Sequence, residues 1–244
     1  MLLTIDVGNS RIKAAVFEQD TLVELFVANP KEAAVFFLGI FIKYPKIKSA
    51  IYASVGKIEA EVLDLLQKHV EIQIIDHTTV LPFSNNYKTP KTLGVDRVVL
   101  AAGATLLYPK QNRLVIDAGT CVTYDFIDQN NRYLGGAISP GIVLRYKSLN
   151  DYTQNLPLLE SNSNEIFIGN STENSIHSGV INGLTYEIDG FISQYFLKYQ
   201  DLTVILTGGD AEFLAKRLKN TIFANSNFLL DSLRLLSTYI HQND

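Results

Sequence analysis

The sequence predicts an α/β chain built from two versions of one mixed-sheet unit, and three observations carry that expectation. Leu114-Val115-Ile116-Asp117-Ala118-Gly119-Thr120 repeats the pattern of Leu3-Thr4-Ile5-Asp6-Val7-Gly8-Asn9, 111 residues on. Ile51-Tyr52-Ala53-Ser54-Val55-Gly56 is echoed by Val204-Ile205-Leu206-Thr207-Gly208-Gly209, each a strand running into glycine and then a helix. The composition is globular: 244 residues, 47% hydrophobic and 19% charged, which excludes a disordered or collagen-like chain.

The elements follow in order. Leu2 to Asp6 is a short apolar run ending in an acid and a glycine turn; Ile12 to Phe17 is the returning strand; Glu18-Gln19-Asp20 turns into a third strand, Thr21 to Phe26. Residues 31–46 read as helix, starting after Asn29-Pro30 and carrying Ala33, Ala34, Phe36 and Phe37. Ser49 to Ser54 is a buried-type strand, Glu59 to Lys68 a helix with Val62, Leu63, Leu65 and Leu66 apolar, and Val70 to Ile75 one more strand. Val98 to Leu107 is a long apolar helix begun by Asp96. Polar residues 108–113 form the seam, giving domains 1–110 and 111–244. The second copy then repeats strand, acid-glycine turn, strand and turn. Glycines within Gly179-Val180-Ile181-Asn182-Gly183-Leu184 on an apolar helix predict close packing, either between domains or across a dimer interface, and Leu229 to Leu236 reads as a terminal amphipathic helix.

Charge and residue counts narrow the function. Lys+Arg 21 against Asp+Glu 25 gives a net charge of −4 with no basic run, which argues against a nucleic-acid binder. The single cysteine, Cys121, excludes an intramolecular disulfide and reads as a small buried residue. His69, His77, His177 and His241 show no ligand spacing, and His177 reads as a helix-surface side chain. No apolar run nears the roughly 20 residues that span a bilayer, and Met1 to Asp6 lacks a basic n-region, so a cytoplasmic protein is the expectation.

An acid ending a buried strand before a glycine turn has a use in phosphate chemistry. Glycine lets the backbone approach an anion, and successive N–H groups can point at it. The acid acts on phosphate only through a cation or water, because direct contact is repulsive. Lys13 on the outgoing strand would reach back as a point charge. At a fixed offset its counterpart is Tyr124, so the first turn is expected to handle the more charged phosphates. One such turn is most simply a satisfied strand connection; two in one chain favour nucleotide binding. The sequence has no Gly-x-x-x-x-Gly-Lys-[Ser/Thr] loop, no Gly-x-Gly-x-x-Gly after the first strand and no protein-kinase glycine loop.

The paired Asp-x-Gly turns resemble the nucleotide-binding superfamily of acetate and sugar kinases, Hsp70 and actin. Within it, Asp6-Val7-Gly8-Asn9-Ser10-Arg11-Ile12-Lys13, Gly94-Val95-Asp96-Arg97, Ile116 to Thr120, Gly135-Gly136-Ala137-Ile138-Ser139-Pro140-Gly141, Gly169 to Thr172 and Thr207 to Ala211 stand in the order of the type III pantothenate kinase family, which the chain resembles from residue 6 to 211. The resemblance implies two ribonuclease-H-like domains (duplicated mixed-sheet α/β units) with a nucleotide cleft between them. It also implies ATP-dependent phosphorylation of pantothenate, the first step of coenzyme A biosynthesis. Asp6, Val7, Gly8, Asn9, Ser10, Arg11, Ile12, Lys13 and Thr120 would bind ATP, with Gly208-Gly209-Asp210 near the adenosine. Tyr87, Gly94, Val95, Asp96, Arg97 and Thr172 would contact pantothenate, with Asp96 as general base. Asp117 would hold a monovalent cation, potassium or ammonium, and magnesium would accompany ATP. A homodimer is implied. Ser10 stands where many members carry threonine, which keeps the hydroxyl. By position alone Asp96 is a first-turn acid favouring the helix dipole; the family resemblance favours the base. A kinase for another small hydroxyl compound and a nucleotide-binding regulator without turnover are the alternatives; the chain length leaves little room for a sugar-binding insertion, and the regulator would be expected to have lost the acids at 6, 96 and 117 that remain here.

Overall fold

Alternation along the first strand sets the architecture of the first half. In the computed structural model, which describes residues 1–8, 10–54, 56, 60–162 and 166–243, β1 (Leu2–Val7) turns Leu3, Ile5 and Val7 to one face and Thr4 and Asp6 to the other. β1 pairs antiparallel with β2 (Ile12–Glu18), and β2 with β3 (Thr21–Ala28). On its other side β1 runs parallel to β4 (Ser49–Ser54), and β4 to β5 (Glu71–Ile74), giving the order β3-β2-β1-β4-β5. Helices α1 (Ala33–Lys43) and α2 (Ala60–His69) cover the Leu3 face, where Phe37, Ile40, Val62 and Leu66 join one buried cluster with Leu3, Ile5, Ile12, Ala14 and Tyr52. The helix expected over 31–46 is shorter at both ends. Pro30–Glu32 forms a tight 3-10 turn, and α1 stops before Tyr44, the residue that precedes Pro45 and is steered away from helical geometry. The helix expected from Glu59 is observed from Ala60, because Glu59 lies outside the described residues. A two-residue extended segment, β6 (Ser84–Asn85), precedes α3 (Val95–Leu107), which is buried continuously from Arg97 to Thr105.

The second half repeats the plan. β7 (Asn112–Ala118) pairs antiparallel with β8 (Cys121–Ile127), β8 with β9 (Arg132–Pro140), and β7 runs parallel to β10 (Leu202–Thr207), which runs parallel to β11 (Phe223–Ala224). Element by element, β9-β8-β7-β10-β11 matches β3-β2-β1-β4-β5. Leu114, Ile116 and Ala118 take the places of Leu3, Ile5 and Val7 and pack beneath α4 (Ile142–Asp151), α5 (Thr172–His177) and α6 (Gly183–Lys198), with Tyr146, Ile176, Leu184 and Ile188 in the same core. α5 and α6 are joined by a π-helical turn, Ser178–Asn182. Within the chain, a Cβ on Gly179 or Gly183 would meet nothing within 4 Å among the described residues. α7 (Ala211–Ala215) follows β10.

The chain divides into two compact units, Met1–Pro109 together with the residues from Asn227 on, and Lys110–Ser226. The expected second domain ran to residue 244, so its last segment is corrected: α8 (Phe228–Asn243) returns to the first unit. There it packs on α3, β1, β2 and β4, on the sheet face opposite α1 and α2, with Arg234 over the Phe17 ring at 5.7 Å. That face carries Thr4, Ala15, Phe17 and Ile51, all buried. Without α8 this apolar surface would be left to water.

Candidate functional site

The first acid-glycine turn is closed by the pair Val7 and Ile12, both fully buried, so these two expected nucleotide contacts can offer only main-chain groups. Gly8 donates to the Arg11 carbonyl at 3.1 Å, and Gly56 donates to the Val7 carbonyl at 3.0 Å. A Cβ on Gly56 would stand 2.6 Å from the Gly8 oxygen, so the start of the loop after β4 abuts the turn. Ser10 and Arg11 are exposed, and Asn9, also expected here, lies outside the described residues. Asp6 and Lys13 sit directly opposite each other in the ladder and so share a face. Burial pushes the Asp6 carboxyl up to about 7; the Asp96 charge adds to this, and Lys13 opposes it.

Asp96 stands in the first turn of α3, whose N-cap is Gly94. A Cβ on Gly94 would fall 2.3 Å from Asp96 Oδ1, so glycine leaves the space in which that carboxylate folds over the helix end. Asp96 Oδ1 accepts the Arg97 N–H at 2.8 Å. Burial raises the Asp96 carboxyl above its ordinary value, while the N–H and charge of Arg97 pull the other way. Arg97 is itself buried, and its guanidinium lies 5.9 Å from the centre of the Tyr87 ring. The first unit therefore gathers two electrostatically coupled carboxylates, a lysine opposite one of them, and an arginine on an aromatic face.

In the second unit Asp117 lies opposite Thr123 on β8 and Thr207 on β10. The counterpart of Lys13 is therefore Thr123 and not Tyr124, because the second turn is one residue shorter and a fixed offset slips past it. The echo between β4 and β10 is likewise shifted by one: Ile51, the partner of Thr4, corresponds to Ile205, the partner of Val115. Gly119 donates to the Cys121 carbonyl at 3.0 Å, and Asp210 donates to the Ala118 carbonyl at 3.0 Å. Gly208 holds φ +97, and a Cβ there would lie 2.4 Å from both the Ala118 oxygen and Asp117 Oδ1; only glycine fits. Burial raises the Asp210 carboxyl. Thr120 is exposed in the turn, and so is Cys121, contrary to its expected burial. Thr172 is exposed at the start of α5, where Ser171 caps the helix by accepting the Asn174 N–H at 3.2 Å.

His177 is a further correction. It is buried, with Nδ1 2.7 Å from the Tyr146 hydroxyl and Nε2 3.0 Å from the Asn162 amide nitrogen. Helical periodicity cannot reveal this, because its partners come from α4 and from the loop before α5. Sequence reasoning also missed a network of Tyr124, Arg145 and Glu187, whose members are separated by 42 and 63 positions.

Among the described residues no group of three or more His, Cys, Asp or Glu side chains converges. Asp117 presents a hard oxygen donor beside the Gly208 backbone.

Comparison with known proteins adds to the geometry. A family model described as type III pantothenate kinase matches residues 2–194. The chain is 56% identical over 244 residues, all of both chains, to a type III pantothenate kinase of Flavobacterium johnsoniae. It is 40% identical over 241 residues, 98% of each chain, to that of Phocaeicola vulgatus. Among solved structures, the inorganic polyphosphate/ATP-glucomannokinase of an Arthrobacter strain is similar with a TM-score of 0.51 at 14% identity, covering 100% of this chain and 99% of that one, which is a likeness of fold.

Proposed function

Because the chain belongs to the type III pantothenate kinase family and phosphorylates pantothenate with ATP at the start of coenzyme A biosynthesis, we propose that Asp96 is its general base. The observation that carries this reading is the Asp96 carboxylate itself. It is half-buried at the head of α3, raised above its ordinary value, next to Arg97 and within the field of Asp6. A base whose affinity for protons is raised is better matched to an alcohol proton released late in phosphoryl transfer. In the step, an acceptor hydroxyl oxygen bonds to the γ-phosphorus, the bond to the bridging oxygen of ADP breaks, and the hydroxyl proton passes to Asp96.

Arg97 would hold the pantothenate carboxylate through its planar fork, with Tyr87 behind it, and Gly94, Val95 and Thr172 would complete the contacts. For ATP we assign Asp6 to Lys13 in the first unit, Asn9 by resemblance alone, and Thr120 in the second. Lys13 would neutralise phosphate charge, and the main chain of Val7, Gly8 and Ile12 would line the turn. Asp117 would hold potassium or ammonium, which would supply positive charge beside the phosphates; magnesium would arrive with ATP. Among the described residues no helix is long and apolar enough to cross a membrane, and we place the enzyme in the cytoplasm. We also propose a homodimer, supported by exposed apolar side chains in the second unit, among them Val143, Phe167, Ile168 and Leu197; sedimentation of the purified protein at a monomer mass would remove it.

The deciding experiment is a coupled ATP-turnover assay with pantothenate, a panel of sugars, or no acceptor, run in potassium, ammonium and sodium. ADP release should depend on pantothenate and be high in potassium or ammonium and low in sodium. Equal rates in all three salts would sink the role given to Asp117.

A further inference from the structure

We propose that Arg145 is a positioning residue for the Gly119–Thr120 turn, acting through the end of β9 without touching the nucleotide. The inference rests on the assignment of that turn to ATP.

The turn leans on Gly141. The Gly141 N–H donates to the Thr120 carbonyl at 3.0 Å, and a Cβ on Gly141 would stand 2.1 Å from the Gly119 oxygen. A shift of Gly141 therefore moves the turn or strips a hydrogen bond from it. Gly141 in turn follows Ser139 and Pro140, the last residues of β9, which lie opposite Val122 and Cys121 at the start of β8. Arg145 sits one turn into α4, and its side chain folds back over this junction. Its Nε donates to the Pro140 carbonyl at 2.8 Å and its Nη2 to Ser139 Oγ at 2.9 Å.

The guanidinium is itself anchored. Nη2 also meets the Glu187 carboxylate on α6, and the other Glu187 oxygen accepts the Tyr124 hydroxyl at 2.9 Å. Tyr124 is fully buried on β8, and burial followed by the Glu187 charge keeps its hydroxyl protonated. The connections thus form a ring from β8 through α6 and α4 to β9 and back to the turn that leads into β8. Arg145 and Glu187 side chains are 21% and 25% exposed, so the pair is shielded far better than a surface ion pair. The planar fork matters as much as the charge: three of its contacts fix its direction, which a lysine ammonium would not reproduce.

The test uses the full chain with Arg145→Ala, Arg145→Lys and Thr120→Ala, measuring kcat, KM for each substrate and Tm. Displacement of a binding group by about an ångström can cost up to about a hundredfold, so Arg145→Ala should raise KM for ATP at least about tenfold while KM for pantothenate stays within about twofold. Added guanidinium should restore the Arg145→Ala enzyme toward the parent value. Arg145→Lys, which keeps the charge and guards against a variant that fails to fold, should fall between the two. An unchanged KM for ATP in Arg145→Ala, alongside a raised one in Thr120→Ala, would overturn the strut and leave the turn assignment standing. Unchanged ATP parameters in Thr120→Ala would overturn the turn assignment, and the strut with it. A parallel rise in both KM values with a lowered Tm and no guanidinium rescue would also overturn it, since general loosening would then explain the effect.

Discussion

Asp6 is held in a position that costs the free protein stability. Its carboxyl is raised from 3.8 to about 7, first by burial and then by Asp96. Between those two values the folded chain keeps a proton that the unfolded chain has released, so stability falls as pH rises through that window and levels off above it. Asp6→Asn removes this titration. The variant should be more stable than the parent at pH 8, by on the order of a few kcal/mol, and nearly equal to it at pH 4; thermal unfolding at both values checks this, and a gain that does not grow with pH contradicts the reading. Asp96→Asn should keep the fold, because an amide oxygen can still accept the Arg97 N–H, yet lose turnover by roughly 10²–10⁴-fold. A near-normal kcat would remove Asp96 from the chemistry. Both acids were legible in the sequence as motif members. Their coupling was not, because one ends a strand and the other opens a helix 90 positions later.

At the scale of elements, β1 to β5, β7 to β10 and helices α1, α2, α3 and α8 followed from short-range pattern, whereas β6, β11, α4, α5 and α7 did not. The first strands alternate, the glycine turns reverse the chain, and the copied order of pairing makes the duplication visible in the ladders themselves. The misreadings were of register, by a single residue. A turn one position shorter puts Thr123 and not Tyr124 opposite Asp117, and the ladders align Ile51 with Ile205 and not with Val204. Only hydrogen-bonded pairing fixes such offsets. The seating of α8 on α3 makes its own prediction. A Cβ on Gly103 would lie 2.9 Å from the Ser232 Cα and closer still to its side chain. Gly103→Ala gains helix propensity yet overpacks this crossing, so it should destabilise by about 1–3 kcal/mol. The urea midpoint measures this, and a midpoint at or above that of the parent would show that the two helices are not in such close contact.

For the molecule as a whole, the C-terminal segment completes a unit that begins at Met1. Leu230, Leu233, Leu236 and Ile240 recur at three- and four-residue spacing and are buried, along with the Thr4, Phe17 and Ile51 face of the sheet and with α3. Ending the chain after Ser226 should therefore expose that face: the truncated protein should bind a hydrophobic dye and lose amide protection in β1, β2 and β4, while β7, β8 and β10 stay protected. Intact protection in β1 would show that α8 is dispensable.

By itself the sequence determined the two mixed sheets, the acid-glycine turn in each and the family, because these depend on residues within a few positions of one another or on blocks kept in order along the chain. Tertiary structure decided what depends on distant partners. It sent the last helix back to the first unit, buried His177 between Tyr146 and Asn162, placed Cys121 in the open and tied Arg145 to Glu187. Apolar periodicity states that a face must be covered; it does not state which surface, many residues away, has the shape and charge to cover it.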